Sequence, residues 1–171
     1  MAPTHPIAHS PNMRSSAVLA WILALTPITA LAQAVPAPSV AGPYTLLSVN
    51  TSQLMMMAIG SRTRSGDMAS VTLITLLDKA SPAGVGRVDM GMLVDCARRT
   101  SQRGVVAMRD LAGNLINARD SANKAWITAG AGAEDQKLMA LACEGTTTGP
   151  KAPDIAAVAT VWRENNAASR Q

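Results

Sequence analysis

Runs of alternating apolar and polar residues recur through the middle of this chain, and they predict β-strands. In residues 87–99 the apolar positions are spaced two apart, at Val88, Met90, Met92, Val94 and Cys96. Side chains two apart on a strand point to the same side, so this set is predicted to face a core. Residues 70–78 are apolar on both faces, which predicts a central strand or one facing a partner subunit. Further apolar or β-prone runs cover residues 44–50, 53–61, 104–110 and 115–119.

The pattern changes from a period of two to a helical period in residues 133–143. Leu138, Leu141 and Ala142 are spaced i, i+3 and i+4, which gives one apolar stripe of an α-helix. Gly145 follows the last periodic residue and is suited to a helix C-terminus. We therefore expect an α+β fold in which five to six strands are followed by a C-terminal helix.

The first 34 residues have the organisation of a leader and signal peptide. Arg14 precedes an apolar stretch, and small residues follow at Ala30, Ala32 and Ala34. A basic start, an apolar stretch and a small-residue cleavage site are the three parts of a secretory signal peptide. A retained membrane anchor is the alternative, but the apolar stretch is short for one and Pro27 interrupts it. We expect export to the periplasm, or beyond it to the outer surface or medium, without a stable membrane anchor.

The rest of the chain is predicted to contain one small domain. Residues 35–43 are rich in proline and small residues and predict a flexible lead-in. The domain itself is predicted over residues 44–145. Residues 146–171 begin with a linker-like sequence and are predicted to form a flexible tail. Within them, residues 154–165 have near-helical apolar spacing, which is compatible with a short helix.

Composition argues against several classes of function. Both histidines, His5 and His9, lie in the leader, so the exported chain lacks the commonest general base and metal ligand. No nucleophile motif, phosphate-binding loop or close carboxylate pair is present. We therefore expect no catalytic, cofactor-binding or metal-binding residues. The chain carries 15 Lys plus Arg against 11 Asp plus Glu without a run of like charge, so nucleic acid is not an expected partner.

The two cysteines are predicted to form a disulfide. Cysteines of an exported protein enter an oxidising compartment, where a lone pair usually joins. A bond between Cys96 and Cys143 would tie the helix to the sheet and stabilise the fold by roughly 4 kcal/mol. Two cysteines without histidine do not make a zinc site, and they are not a C-x-x-C redox pair. A nucleophilic role for Cys96 would need a base that the exported chain does not offer.

Methionine replaces aromatic residues to an unusual degree, with ten Met and no Phe. Thioethers are ligands for Cu(I), and Met55, Met56 and Met57 raise that alternative. Consecutive residues of a strand point to opposite faces, however, so these three side chains do not converge on one ion. Methionine also fills irregular gaps in a core, and we prefer that interpretation.

The segment from the first cysteine to the second resembles the surface-adhesin protein E-like family of Gram-negative bacteria. The features shared with that family are an acidic residue and Cys at a strand end, a basic or aromatic strand, a D-x-x-G hairpin, a Trp, and a C-terminal helix that ends in Cys. In this chain they correspond to Asp95, Cys96, Arg98, Arg99, Asp110, Gly113, Trp126 and Cys143. The resemblance covers residues 44–144.

The resemblance implies a mainly antiparallel sheet with the C-terminal helix docked on it by the disulfide, and dimerisation through the sheet. It also implies adhesion, because the best-known member of the family binds host matrix and plasma proteins. This chain departs from the family in two respects. No cysteine ends the leader, which predicts no lipid anchor, and Met, Val and Leu replace most aromatic residues of the sheet.

A group of arginines is the candidate partner-binding surface. Its members are Arg98, Arg99, Arg103, Arg109 and Arg119. Clustered positive charge suits an acidic partner, while the alternative is a solvated surface balanced by nearby aspartates. We expect a non-catalytic envelope protein that acts as a protein–protein interaction module, with host or envelope proteins or a second copy of itself as partners. The alternative is a periplasmic structural or stress-related protein with no external ligand.

Overall fold

A computed structural model describes residues 35–170, and the predicted leader and signal peptide lies outside the described residues. The chain forms one antiparallel sheet with the strand order β6-β5-β4-β3-β2-β1-β8, and β7 pairs beside β6 on the outer edge of β5. The strands are β1 Tyr44–Val49, β2 Gln53–Ser65, β3 Met68–Leu77, β4 Arg87–Asp95, β5 Thr100–Arg109, β6 Leu115–Asp120, β7 Ile127–Thr128 and β8 Lys151–Ala152. The predicted antiparallel sheet is confirmed. The predicted number of five to six strands is wrong, because the sheet has eight strands within the described residues.

Helical structure follows the sheet in two places. Helix α1 spans Ala133–Met139 and continues as a π-helical segment, Ala140–Glu144. Gly145 ends that segment with a φ of 74°, a left-handed conformation that glycine adopts without steric strain. Helix α2 spans Ile155–Ala168, and the side chain of Asp154 caps its first turn by accepting from the amide of Ala156.

The first core lies on the face of the sheet that α1 and the π-helical segment cover, which we call the α1 face. It includes Val71 and Leu73 of β3 and Met92 and Val94 of β4. The helical side chains that meet them are Leu138, Met139, Leu141 and Ala142. The i, i+3, i+4 stripe predicted from the sequence therefore faces the sheet.

The second core lies on the opposite face, which we call the α2 face. From β3 it takes Ile74 and Leu76, and Ala159 and Trp162 of α2 pack against them. A strand that is apolar on both faces must be covered on both sides, and β3 lies between β2 and β4 with a core above and below. The prediction that residues 70–78 form a central strand is confirmed.

The C-terminal region forms a helix, which the sequence left open beside a flexible tail, and the helix is longer than the predicted residues 154–165. Residues 151–152 form β8 on the outer edge of β1, and residues 155–168 form α2. Trp162 is only 8% exposed, and Arg163 donates from Nε to the carbonyl oxygen of Leu77 at 3.1 Å. The apolar burial offsets the entropy of ordering this region, so most of the region is folded onto the sheet.

The lead-in also has contacts that its composition does not predict. The hydroxyl of Thr72 donates to the carbonyl oxygen of Ser39 at 2.7 Å, and Val40 packs against the second core. The backbone of residues 41–42 crosses β2 directly over Gly60, where a Cβ atom would lie 2.8 Å from the carbonyl oxygen of Ala41. Glycine at position 60 therefore permits this close approach.

The predicted disulfide is present, with the Cα atoms of Cys96 and Cys143 5.5 Å apart. It joins the residue that follows β4 to the π-helical segment. Two arginines of β2 hold the same segment through its carbonyl oxygens. Arg62 donates from Nε to Ala142 at 3.0 Å, and Arg64 donates from Nη1 to Cys143. In the described part of the chain, no helix is long and apolar enough to span a membrane.

Candidate interaction surface

The last strand on one side of the sheet leaves an edge free. The inner side of β6 pairs with Val105–Arg109 of β5, and its outer side pairs with no strand among residues 35–170. β7 pairs with the first residues of β5 further along the same side, through Thr128 with Thr100 and Ile127 with Ser101. We call residues 115–128 the β6–β7 edge. An unpaired strand edge presents amide and carbonyl groups that can pair with another chain.

Large apolar side chains lie exposed at both ends of the β6–β7 edge. Leu115, Ile116, Trp126 and Ile127 are between 45% and 51% exposed. Leu115 pairs with Arg109 of β5 and Ile127 pairs with Ser101, which places the two ends about 26 Å apart at roughly 3.3 Å per residue. Exposed apolar groups with an aromatic residue are typical of the contact surfaces of proteins. The edge therefore combines free backbone groups with two apolar ends.

Positive charge lies along and beside this edge. Arg119 is an exposed residue of β6, and Arg103 is an exposed residue of β5 on the α1 face, opposite Met92. Arg98 and Arg99 lie in the β4–β5 turn. Arg98 contacts Asp95 at 3.6 Å, but its side chain is 82% exposed. Within the described residues, Arg99, Arg103 and Arg119 form no ion pair.

The β4–β5 turn is joined to β7 by a backbone contact at Arg99. The φ of Arg99 is 52°, in the left-handed region that non-glycine residues rarely adopt. Its carbonyl oxygen accepts the amide of Ala129 at 2.9 Å. The amide of Arg98 is capped in the same turn by the carboxylate of Asp95 at 2.9 Å. These contacts hold the exposed arginines of the turn beside the end of the β6–β7 edge.

Arg109 does not lie with the other four predicted residues. Its Nε donates to Asp89 at 2.6 Å on the α2 face, and its side chain is only 20% exposed. Arg103 and Arg119 stand opposite Met92 and Val106, which places them on the α1 face. The structure thus places Arg103 and Arg119 on the α1 face and leaves Arg98 and Arg99 exposed in the β4–β5 turn, while Arg109 lies on the α2 face.

Two carboxylates have lowered pKa values, and both have structural partners. The hydrogen bond from Arg170 lowers the pKa of Asp78 more strongly than burial raises it, and Asn166 also lowers it. Hydrogen bonds from the side chain and amide of Asn114 lower the pKa of Asp110 in the β5–β6 turn. Both carboxylates are held in the charged form. They fix a helix end and a turn, and neither has the raised pKa of a general acid.

The methionines that raised the copper alternative are divided between the two cores. Met57 belongs to the core on the α1 face, with Met55 packed beside it, and Met56 belongs to the core on the α2 face. Among residues 35–170, no group of three His, Cys, Asp or Glu side chains is arranged to hold a metal ion. These positions agree with the preferred interpretation that methionine fills the cores.

Sequence reasoning did not find the role of Asp89. This carboxylate is fully buried in β4 and accepts from both Arg87 and Arg109. From the sequence alone, Arg109 is predicted only as a member of an exposed group of arginines. One sequence feature does point to this role: Asp89 is an acidic residue inside a strand that lies between two other apolar strands. A carboxylate buried in such a place needs a cationic partner.

Comparisons with known proteins identified no relative of this chain. No family model, no curated protein and no solved structure matches the chain. The resemblance to the surface-adhesin protein E-like family therefore remains a prediction based on the sequence of residues 44–144.

Proposed function

We propose that this chain is a non-catalytic, exported envelope protein of the surface-adhesin protein E-like kind, and that it binds another protein through the β6–β7 edge. The observation that carries the proposal is the outer side of β6, which pairs with no strand among residues 35–170 and lies between exposed apolar residues. An extended segment of a partner would add to the sheet as a further strand. Backbone hydrogen bonds would supply affinity, and the apolar side chains at both ends would supply selectivity.

The charge beside the edge supports an acidic partner. Arg99, Arg103 and Arg119 are exposed and form no ion pair among the described residues. Asp120 is already paired with Lys124 at 2.9 Å, so the nearest carboxylate on β6 is partly neutralised. An acidic partner would be attracted to this side of the sheet, and its rate of association would fall as salt is added.

Export is supported by the signal-peptide pattern and by the disulfide. A bond between Cys96 and Cys143 is stable in an oxidising compartment and is rarely kept in a reducing cytosol. The partner in this proposal is therefore a protein of the envelope or of the host surface. The alternative function, a periplasmic structural or stress-related protein, needs no external ligand and no binding edge.

A selection experiment tests the proposed function. Peptides enriched from a random library against the mature protein are predicted to be extended, acidic and apolar. Trp126→Ala and Ile116→Lys are each expected to weaken binding of a selected peptide by about tenfold or more, because they alter the two apolar ends of the edge.

Val161→Ala provides the matched control, because Val161 is 57% exposed but belongs to α2 and not to the β6–β7 edge. Its affinity should stay within about twofold of the unaltered protein. Equal loss in the control, or no enriched peptide at all, would contradict binding through the edge. The second result would favour the alternative without an external ligand.

A further inference from the structure

A buried carboxylate on the α2 face is shared by two arginines. Arg87 donates from Nε to Oδ1 of Asp89, and Arg109 donates from Nε to Oδ2, both at 2.6 Å. The side chain of Asp89 is 0% exposed, and those of Arg87 and Arg109 are 13% and 20% exposed. One negative charge is therefore matched by two positive charges in a largely water-excluded place, which leaves an excess positive charge.

A third guanidinium lies beside this cluster. Arg163 of α2 reaches the same region and donates to the carbonyl oxygens of Leu77, at 3.1 Å, and Gly86, at 3.5 Å. Its hydrogen bonds go to neutral oxygens, so they do not neutralise its charge.

Three carboxylates next in sequence to residues of this region have hydrogen-bond partners of their own, but only Asp78 is paired with a cation, so Asp110 and Asp154 keep their charge. Asp78 is held by Arg170 and Asn166, Asp110 by Asn114, and Asp154 by the amide of Ala156. None of them forms an ion pair with Arg87 or Arg163 in the described part of the chain.

A small cavity opens beside these arginines. Its volume is about 50 Å³, which corresponds to roughly four water-sized volumes. Arg87 and Arg163 contribute the charged part of its wall. The apolar part is formed by Leu76, Leu111, Ile155 and Ala159.

The donors of Arg87 are incompletely used. Its Nε is bonded to Asp89, while neither of its Nη atoms donates to an acceptor among residues 35–170. A guanidinium has five N–H donors in a planar fork, and its geometry matches the two oxygens of a carboxylate. The apolar wall opposite leaves room for a short hydrocarbon group rather than a second charge.

We infer that this cavity binds a small carboxylate with a short apolar chain, held by Arg87 and Arg163. The carboxylate accepts from the Nη donors that Arg87 leaves unused and pairs with Arg163, and the chain contacts the apolar wall. This site lies on the α2 face and is independent of the protein-binding role proposed for the β6–β7 edge.

Propionate is the probe that fits both parts of the cavity, and propionamide is the matched neutral molecule. In a nuclear magnetic resonance titration of the mature protein, propionate should produce saturable shifts at the amides of Gly113 and Ala156, which line the cavity. Propionamide should produce none. Arg163→Gln should weaken propionate binding by about tenfold or more. The Arg170→Gln variant, which removes a different tether of the same helix, should keep its affinity within about twofold.

A second pair of variants leaves every arginine in place. Ala156 and Ala157 are neighbouring exposed residues of α2, but only Ala156 lines the cavity. Ala156→Leu should fill the cavity and abolish the saturable shifts, and Ala157→Leu should leave them unchanged. No saturable shift with propionate, equal binding of propionamide, or equal affinity in the Ala156→Leu and Ala157→Leu variants would overturn the inference.

Discussion

Arg62 on β2 donates from Nε to the carbonyl oxygen of Ala142, 3.0 Å away and 80 residues later in the chain. This contact joins the sheet to the π-helical segment beside the disulfide. A π-helical segment leaves carbonyl groups in irregular positions, and such segments are rare in proteins. Arg62 and Arg64 satisfy the carbonyl oxygens of Ala142 and Cys143, so the disulfide is one of several tethers at this position.

The first prediction concerns this arginine tether. Arg62→Gln should lower the free energy of unfolding by about 1–2 kcal/mol, because a hydrogen bond from a charged group is lost. Denaturation with urea measures the effect. Arg98→Gln is the control, since the Arg98 side chain is 82% exposed, and its change should stay below about 0.5 kcal/mol. Equal changes in the two variants would show that Arg62 does not hold the segment.

The second prediction concerns the disulfide. Replacing Cys96 and Cys143 together by serine should lower the free energy of unfolding by about 4 kcal/mol, because the bond closes a loop across a separation of 47 residues. The same urea measurement on the double variant checks it. A change below about 1 kcal/mol would contradict a stabilising bond. Combining these replacements with Arg62→Gln should give a non-additive loss, because both tethers hold one segment.

The third prediction concerns the lead-in. Gly60→Ala should destabilise the protein by about 1–3 kcal/mol, because the added methyl group would collide with the backbone of residues 41–42. Thermal unfolding measures the loss. Gly91→Ala is the matched control, since its Cβ atom would lie 3.6 Å from the nearest heavy atom, an ordinary contact distance. If the two variants unfold at the same temperature, the lead-in does not pack over Gly60.

The fourth prediction concerns acid. The hydrogen bond from Arg170 lowers the pKa of Asp78, so this carboxylate contributes stability above its unfolded pKa of about 3.9 and loses it as the pH falls through the folded value. The free energy of unfolding should therefore decrease below about pH 4. Asp78→Asn and Arg170→Gln should both flatten that decrease. Profiles identical to that of the unaltered protein would contradict the anchoring of α2 by this pair.

The fifth prediction concerns the buried ion cluster. Asp89→Asn should lower the free energy of unfolding by about 3–5 kcal/mol, because it leaves Arg87 and Arg109 without their shared counter-charge. Asp120→Asn is the control, because the pair of Asp120 with Lys124 is exposed and should contribute less than about 1 kcal/mol. Comparable losses in these two variants would mean that Asp89 is not an essential counter-charge.

The strands that the sequence predicts best are those whose side chains alternate over a long run. β4 shows this, since Met90, Met92 and Val94 are spaced two apart and all pack on the α1 face. The strands β7 and β8 have two residues each, which is too short to show an alternation of apolar and polar residues. Alternation therefore predicts fewer strands than the sheet contains. α2 was only partly predicted, because its burial depends on a distant partner, the α2 face of β3.

The candidate site was predicted in part for a similar reason. Four of the predicted arginines lie on or beside the β6–β7 edge. Local sequence does not indicate that Arg109 lies on the other face of the sheet. That separation depends on which strand face each residue occupies after a β-bulge in β5. The free edge itself is a property of strand order, which alternation along one strand does not report.

Amide hydrogen exchange of the mature protein, with and without its tightest selected peptide, tests the proposed binding edge most directly. Strand addition places new hydrogen bonds on the outer side of β6, so exchange should slow over residues 115–120 when the peptide is bound. Slower exchange over α2 alone, with β6 unchanged, would contradict binding through the β6–β7 edge.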